Sequence, residues 1–189
     1  LARATGRPTS VNPNQDLPLF PLQTVLFPGS MLSLKVFEAR YLDLVAVCLR
    51  ERRPFGVVAL LRGAEVRRPD TAVAFESVGV LAELVDVDST QPGILQLRCR
   101  GTQRFRVEST RQQADGLWVA QVQPLPADAV VAPDEAMHDT VRGLANAIAS
   151  LKGKGIEPFE SPYHFESAGW VANRWCEILP ISVAAKQKL

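Results

Sequence analysis

The sequence has few cysteines, almost no net charge and no long hydrophobic run, and each of these absences excludes a class of protein. Cys48, Cys99 and Cys176 are its three cysteines; they stand far apart and form no CxxC pair, so they predict neither a redox site nor a zinc site. We expect small, buried, free thiols, which suit a reducing compartment such as the cytoplasm. The formal net charge of +1 gives no general attraction to nucleic acid or to an anionic membrane.

Neither a secretory signal nor a membrane span is predicted. Residues 1–16 are rich in Pro, Asn, Thr and Arg and lack the apolar core of a signal peptide. The apolar stretch over residues 25–37 is interrupted by Pro28, Gly29 and Lys35, and it is shorter than the ~20 residues that span a bilayer. With 47% hydrophobic and 22% charged residues, the 189-residue chain has the composition of a soluble protein whose fold is held by burial.

The composition divides the chain into three regions. Residues 1–15 contain too little apolar surface to offset the entropy of ordering, so they predict a disordered tail. Residues 16–126 predict a β-rich lobe. After Pro124 and Pro126 the pattern changes to a connector and helices, so residues 127–189 predict a helical lobe.

The β-rich lobe opens with a proline-containing segment and one helix. Pro18 and Pro21 favour an edge strand from Leu17, because edge strands tolerate missing backbone donors best. Residues 27–30, Phe-Pro-Gly-Ser, predict a type II turn before a strand over residues 31–37. An amphipathic helix follows from Glu38 and is ended by Pro54, with an apolar stripe at Tyr41, Leu42, Val45, Cys48 and Leu49. A strand over residues 55–61 then leads into a charged loop, residues 62–70, which is a candidate for mobility.

Four more strand-like segments predict an antiparallel meander or small barrel: residues 77–87, 94–100, 104–109 and 117–123. Leu95, Leu97, Cys99, Phe105 and Val107 alternate with polar residues, so they predict an inward face. Two stripes predict the helices that follow. They comprise Val141, Leu144, Ala145, Ile148 and Leu151, then Phe165, Ala168, Ala172, Trp175, Cys176 and Leu179. Ser161-Pro162 is a candidate cap and first turn for the second helix, and residues 182–189 start a third.

Residues 17–45, LPLFPLQTVLFPGSMLSLKVFEARYLDLV, resemble the opening signature of the Lon protease amino-terminal domain family. There a proline-rich strand, an FPG turn, an apolar strand and a Phe-Glu-x-Arg-Tyr helix start occur in this order. GTQRFRV, residues 101–107, is similar to the family's glycine-then-arginine strand, and the final AAKQKL is similar to its Lys-Gln-containing helix. The resemblance extends over nearly all of the chain from Leu17 onward.

The resemblance implies an α+β fold, with a small antiparallel β-barrel-like (PUA-like) lobe, a helix packed across it, and a helical lobe. It also implies capture of unfolded or damaged polypeptide, since in the family ATP hydrolysis and peptide cleavage belong to later domains. We therefore expect a stand-alone member without those domains. From the residues themselves, Phe37 and Tyr41 are four apart and can lock the helix onto the sheet. Glu38 and Arg40 are then surface charges or a local ion pair.

No complete catalytic or metal-binding pattern is found, so we expect no enzyme activity, no cofactor and no catalytic residue. Lys154 follows Gly153, but Gly155 stands where a phosphate-binding loop needs a hydroxyl, so a flexible helix end is the better interpretation. His138 and His164 lie on separate predicted helices without a ligand spacing. Ser161 is close to His164 but lacks a nucleophile elbow. Asp86 and Asp88 are better explained as a polar strand end.

The polar feature most suggestive of binding is an arginine stripe, which comprises Arg98, Arg100, Arg104 and Arg106. Period-two alternation places the four on one outward face if Gly101 is only a bend. This face could grip acidic polypeptide, RNA or a neighbouring subunit, although charge stripes are often only solvated.

Two functions follow as hypotheses. The leading one is a polypeptide-binding or adaptor module whose partners are unfolded or damaged polypeptide and, as further candidates, a separate protease or chaperone. The alternative is RNA or small-ligand binding by the PUA-like barrel, because arginines offer phosphate contacts. The aromatic platform that single-stranded RNA prefers is not evident, since Phe105 is predicted to face inward.

Overall fold

Six strands form a mixed β-sheet in this computed structural model, which describes residues 16–66 and 72–189. The strands are β1 (Leu17–Leu22), β2 (Met31–Val36), β3 (Phe55–Arg62), β4 (Ala74–Gln91), β5 (Ile94–Gln112) and β6 (Trp118–Pro124). The helices are α1 (Ala39–Glu51), α2 (His138–Gly153), α3 (Ala168–Ile178) and α4 (Val183–Lys186). The predicted tail over residues 1–15 and the stretch 67–70 of the predicted mobile loop lie outside the described residues.

The strand order is β2-β5-β4-β3-β1-β6, and β5 also pairs with β6, so the pairings return to β5. The α+β class is confirmed. One pair departs from the predicted antiparallel arrangement, because β1 and β3 pair in parallel across the connection made by β2 and α1. The ring is not a clear barrel, since residues 95–100 of β5 pair with β2 whereas residues 105–112 pair with β6.

Strand β1 lies inside the sheet, so its prediction as an edge strand is wrong. Residues 17–19 pair with β6 and residues 19–22 pair with β3, so each half of β1 has a partner on one side only. Pro18 lies in the first half and Pro21 in the second. In each half of β1, the proline nitrogen can face the side that has no partner strand, where a backbone donor is not needed. An interior strand can therefore accommodate both prolines.

A β-bulge divides β5, which the sequence predicted as two strands separated at Gly101. The pairing of β4 with β5 shifts register between Val80 and Ala82 and adds one residue to β5. Cys99 and Phe105, which simple alternation places on one face, consequently belong to two different core clusters. The bulge thus sends Cys99 and Phe105 to opposite faces of the sheet, and both remain buried as predicted.

Helix α1 packs on the larger core cluster through Tyr41, Leu44, Val45 and Cys48, each at most 4% exposed. Their spacing confirms the predicted amphipathic helix, and burying a side chain such as Leu44 contributes about 1.5–3 kcal/mol. Leu49, predicted on the same stripe, is instead 51% exposed. The helix ends at Glu51 with Arg52 in the left-handed conformation, before Pro54 as predicted.

The carboxy-terminal helices enclose a third, smaller cluster, in which Leu144 and Ile148 of α2 meet Phe159 and Val171. The predicted stripe of α2 is confirmed. For α3 the predicted cap at Ser161-Pro162 is wrong, because the helix begins at Ala168 and Ser167 accepts a hydrogen bond from the Trp170 amide. The buried residues of α3 are Val171 and Arg174, beside the predicted stripe rather than on it. Ser182 caps α4, confirming the third helix.

The FPG turn joins the two parts of the structure. Gly29 has φ of 79°, and the Ser30 amide donates to the Phe27 carbonyl at 3.0 Å, which confirms the predicted type II turn. Gly101 exchanges two backbone hydrogen bonds with the turn, from the Gly29 amide and to the Ser30 carbonyl, both 2.8 Å. From α3, Arg174 donates to the Pro28 carbonyl at 2.8 Å. The FPG and GTQRFRV segments therefore meet at one point, beneath a helix of the carboxy-terminal part.

No helix within residues 16–66 and 72–189 combines the length and the hydropathy that a bilayer span requires.

Candidate functional site

A groove of about 310 Å³ opens beside β2. Phe20 and Leu22 of β1 and Tyr41 of α1 line its floor, and Glu65 and Val66 line it from the segment after β3. All residues from 32 to 38 line it, and these have side chains on both faces of the strand. The groove therefore follows the edge of β2 rather than one face of the sheet.

The base of the groove is aromatic. The rings of Phe20 and Tyr41 stack with centroids 3.8 Å apart and planes within 6° of parallel. The Arg40 guanidinium lies 4.5 Å from the centroid of the Tyr41 ring. Burial raises the pKa of Tyr41 to about 12, so its hydroxyl carries no charge at neutral pH. Phe20 is 6% exposed and Tyr41 is 3% exposed, so the stacked rings form the buried base of the groove.

Two partly exposed apolar side chains stand on the rim. Phe37 is 51% exposed and Val66 is 46% exposed. The prediction that Phe37 and Tyr41 together lock the helix onto the sheet is correct for Tyr41 only, because Phe37 precedes α1 and its ring stays largely in solvent. Because Phe37 and Val66 both border the groove, they extend its apolar base outward and make it a candidate binding surface.

The two acidic residues of the groove lining, Glu38 and Glu65, have partners. Arg40 is buried, donates to the Gly116 carbonyl at 2.7 Å, and pairs with Glu38 at 3.1 Å. The predicted local ion pair is therefore present, with its arginine in the interior. The Glu65 carboxylate accepts from the Gln23 amide at 2.7 Å, which fixes the opposite rim.

Strand β2 offers unpaired backbone groups to the groove. It stands at one end of the strand order, and its pairing within the described residues is with β5 alone. The Gly101 amide donates to the Ser30 carbonyl, and antiparallel hydrogen-bonded pairs recur every second residue. Leu32, Leu34 and Val36 are thus expected to bond to β5. The amides and carbonyls of Ser33 and Lys35 then point away from the sheet.

The four arginines of the predicted stripe all lie on β5, but the bulge separates them. Because of the register shift, Arg98 and Arg100 lie on the opposite face of the sheet from Arg104 and Arg106. Arg98 and Arg100 both bind Glu160, at 3.0 and 2.8 Å. A binding role for the stripe stays a prediction.

The other two arginines differ in their contacts. Arg104 binds Asp128 at 2.7 Å and Asn173 at 3.2 Å. Arg106 is exposed. Three arginines of the stripe therefore tie the sheet to the carboxy-terminal part, through acids and an amide that follow β6 in the chain.

The other polar candidates are not brought together. His164 lies outside the helices and contacts Glu166 at 2.9 Å, so the prediction that it lies on a helix is wrong. His138 begins α2. Lys154 caps the end of α2, as the interpretation of a helix end predicted. Among residues 16–66 and 72–189, no three His, Cys, Asp or Glu side chains are arranged to hold a metal ion.

Sequence reasoning did not find the groove. The strand over residues 31–37 was predicted without its place in the sheet, and Phe37 was given a packing role with Tyr41. The periodicities of the strand and of the helix describe burial within each element, so they gave no sign of a groove between them.

Comparisons with known proteins agree with the fold. A family model described as the substrate-binding domain of the ATP-dependent protease La (LON) matches residues 16–189. The crystal structure of a Lon N-terminal domain protein from Xanthomonas campestris is 32% identical and has a TM-score of 0.71, covering 92% of this chain and 88% of that one.

Two curated proteins are also similar. Lon protease from Paraburkholderia phytofirmans is 29% identical over 185 residues, 96% of this chain and 23% of its own length. Protein cereblon from Danio rerio is 33% identical over 116 residues, 59% of this chain and 26% of its own length. The chain thus spans about a quarter of these relatives.

Proposed function

Because the chain belongs to the family of the Lon substrate-binding domain, we propose that it binds unfolded or damaged polypeptide and catalyses no reaction on it. The observation that carries this proposal is the groove beside β2, with its aromatic floor of Phe20 and Tyr41 and its exposed rim residue Phe37. Unfolded polypeptide differs from folded protein in exposing apolar side chains and backbone. The groove offers an apolar surface against which such side chains can pack.

The size of the groove sets the expected strength of binding. It falls at the lower end of the range of about 300–1,000 Å³ in which proteins bind small ligands, so it accommodates a few side chains at a time. Burying one or two apolar side chains contributes about 1.5–3 kcal/mol each, before the entropy of ordering the client is subtracted. We therefore expect weak, rapidly exchanging capture, which suits a module that passes its client to a separate protease or chaperone.

We propose the cytoplasm as the place of action. Cys48, Cys99 and Cys176 are unpaired thiols, and two of them are buried in the core. Free cysteines of this kind are typical of proteins in reducing compartments.

RNA binding, the alternative from the sequence, has less support. Phosphate groups would have to compete with Glu160 for Arg98 and Arg100, and with Asp128 for Arg104. The aromatic rings of the groove are stacked on each other rather than open for bases.

The proposal is tested by replacing Phe37 with serine and measuring the binding of a labelled, unstructured apolar peptide by fluorescence anisotropy. The loss of a half-buried aromatic contact should weaken binding about five- to tenfold. Leu49→Ser is the matched control, because Leu49 has the same 51% exposure but does not line the groove. Its effect should stay within about twofold.

Equal effects of the two substitutions would place peptide binding elsewhere, and the absence of any binding at millimolar peptide would refute the proposal. Labelled RNA is titrated in parallel at two salt concentrations. Tight RNA binding whose affinity falls steeply with salt, without peptide binding, would favour the alternative.

A further inference from the structure

We propose that the groove binds its client as an added β-strand along β2, and that the client alternates apolar with acidic residues. This inference rests on the polypeptide binding proposed above and assigns its geometry and its substrate class. Three observations lead to it: the edge of β2 that has no partner strand within residues 16–66 and 72–189, the course of the groove, and the charge on the second face of the strand.

The first two observations concern the backbone. Since residues 32–38 all line the groove, a client lying in it passes next to main-chain atoms of β2 from Leu32 to Val36. Ser33 and Lys35 are expected to direct their amides and carbonyls to this side, because Leu32, Leu34 and Val36 bond to β5. An extended segment can therefore form main-chain hydrogen bonds that are independent of its sequence.

The third observation concerns which side chains fit. Successive side chains of an added strand point to opposite faces, so one set enters the groove over Phe20 and Tyr41 and must be apolar. The other set lies beside Ser33 and Lys35. Both are exposed, and Lys35 is the charged residue of β2.

The charges behind Lys35 offset one another. Ser33 pairs with Arg98 and Met31 pairs with Arg100, so these two arginines share the face of Lys35. Both arginines bind the carboxylate of Glu160, and on β4 Asp86 lies opposite Arg98 and Glu83 lies opposite Arg100. Lys35, the charged residue of the edge strand itself, therefore sets the sign of the charge next to the client.

An acidic residue of the client opposite Lys35 thus forms a favourable cross-strand pair, and a basic residue there is repelled. Client residues that point into the groove must therefore be apolar, and those that point toward Lys35 should be acidic, so the two kinds alternate along the client. Proline is excluded wherever an amide must donate to β2.

The experiment compares four labelled peptides in anisotropy titrations with the full chain. The first alternates apolar and acidic residues, the second alternates apolar and basic residues, the third has the composition of the first in scrambled order, and the fourth is the first with alternate backbone amides methylated. We expect the first peptide to bind at least about tenfold more tightly than the methylated one, because two or more main-chain hydrogen bonds are lost. The scrambled and basic peptides should bind more weakly than the first.

A charge reversal tests the second half of the proposal. Lys35→Glu should weaken the acidic peptide about fivefold and strengthen the basic one, since it replaces an attractive cross-strand pair with a repulsive one. Lys154→Glu is the control, because Lys154 is also exposed but lies at the end of α2, away from the groove. It should leave both affinities unchanged. Circular dichroism of each variant verifies that it is folded.

The outcomes separate this inference from the function on which it rests. If peptide binding depends on Phe37 but is insensitive to methylation, strand addition is refuted while polypeptide binding stands. If methylation matters but the acidic and basic peptides bind alike to the parent and to Lys35→Glu, the acidic preference is refuted. If no peptide binds the parent, both proposals fall.

Discussion

Replacing Gly101 by alanine should destabilise the protein strongly, although alanine is among the smallest possible substitutions. A Cβ atom at this position would lie 2.3 Å from the Phe27 carbonyl oxygen and 3.0 Å from Cγ of Leu26. The carbonyl belongs to the FPG turn, so it cannot rotate away as a side chain could. Either β5 or the turn must move.

The magnitude follows from what that movement breaks. The two hydrogen bonds between Gly101 and the turn, each 2.8 Å long, must lengthen, and each contributes about 1 kcal/mol. Forcing an extra methyl group into a packed site costs about 1–3 kcal/mol, so together with the two hydrogen bonds we expect a total of about 3–5 kcal/mol. For a protein of this size that corresponds to a decrease in Tm of about 10 °C.

The assay is urea unfolding followed by tryptophan fluorescence, with Gly153→Ala as the control. Gly153 is the last residue of α2, and a Cβ atom added there would meet no other atom within 4 Å, so alanine should be neutral or stabilise by up to about 1 kcal/mol. If Gly101→Ala changes the free energy of unfolding by less than about 0.5 kcal/mol, the close approach of the turn does not restrict this position.

Two further predictions concern groups in the interior. Arg174→Met should destabilise the protein by about 3–5 kcal/mol in urea melts, because it leaves Glu177 without its buried partner. The double variant Arg174→Met/Glu177→Leu should recover part of this loss. Equal instability of the single and double variants would show that the pair is not coupled. Burial raises the pKa of Cys48 to about 11 and that of Cys99 to about 12. Because the folded state favours the protonated thiols, their contribution to stability is fully present below about pH 9 and is lost as the pH rises through the two raised pKa values. Unfolding free energies measured from pH 8 to 11 should therefore fall, less steeply in Cys48→Ala, and a constant stability would contradict the assignment.

The elements whose residues repeat regularly could be predicted from the sequence. The stripe through Tyr41, Val45 and Cys48 specified α1, and the FPG turn was recognisable because only glycine readily adopts the positive φ at its third position. Local patterns of this kind are set by backbone geometry and burial over a few residues. They do not depend on what the rest of the chain does.

Features that depend on distant partners could not be predicted. The bulge in β5 arises from the register between Val80 and Ala82 on β4, which no alternation within β5 reveals, and it moved Arg104 to the other face from Arg100. The parallel pairing of β1 with β3 and the tolerance for Pro18 and Pro21 depend on which neighbours each half of β1 has. The groove was missed for the same reason, since it exists only where Phe20, Leu34 and Tyr41 are brought together by the sheet.

The contact between Arg174 and the Pro28 carbonyl spans 146 residues of sequence and has a consequence for synthesis on the ribosome. At about 5–20 residues per second, the FPG turn and Gly101 leave the ribosome several seconds before α3. During that interval the turn can dock on β5, but its outward carbonyl faces water instead of a guanidinium. The nascent β-sheet therefore passes through a stage in which the FPG turn is docked on β5 but the hydrogen bond from Arg174 has not yet formed. At that stage a chaperone could reach the surface that α3 later covers.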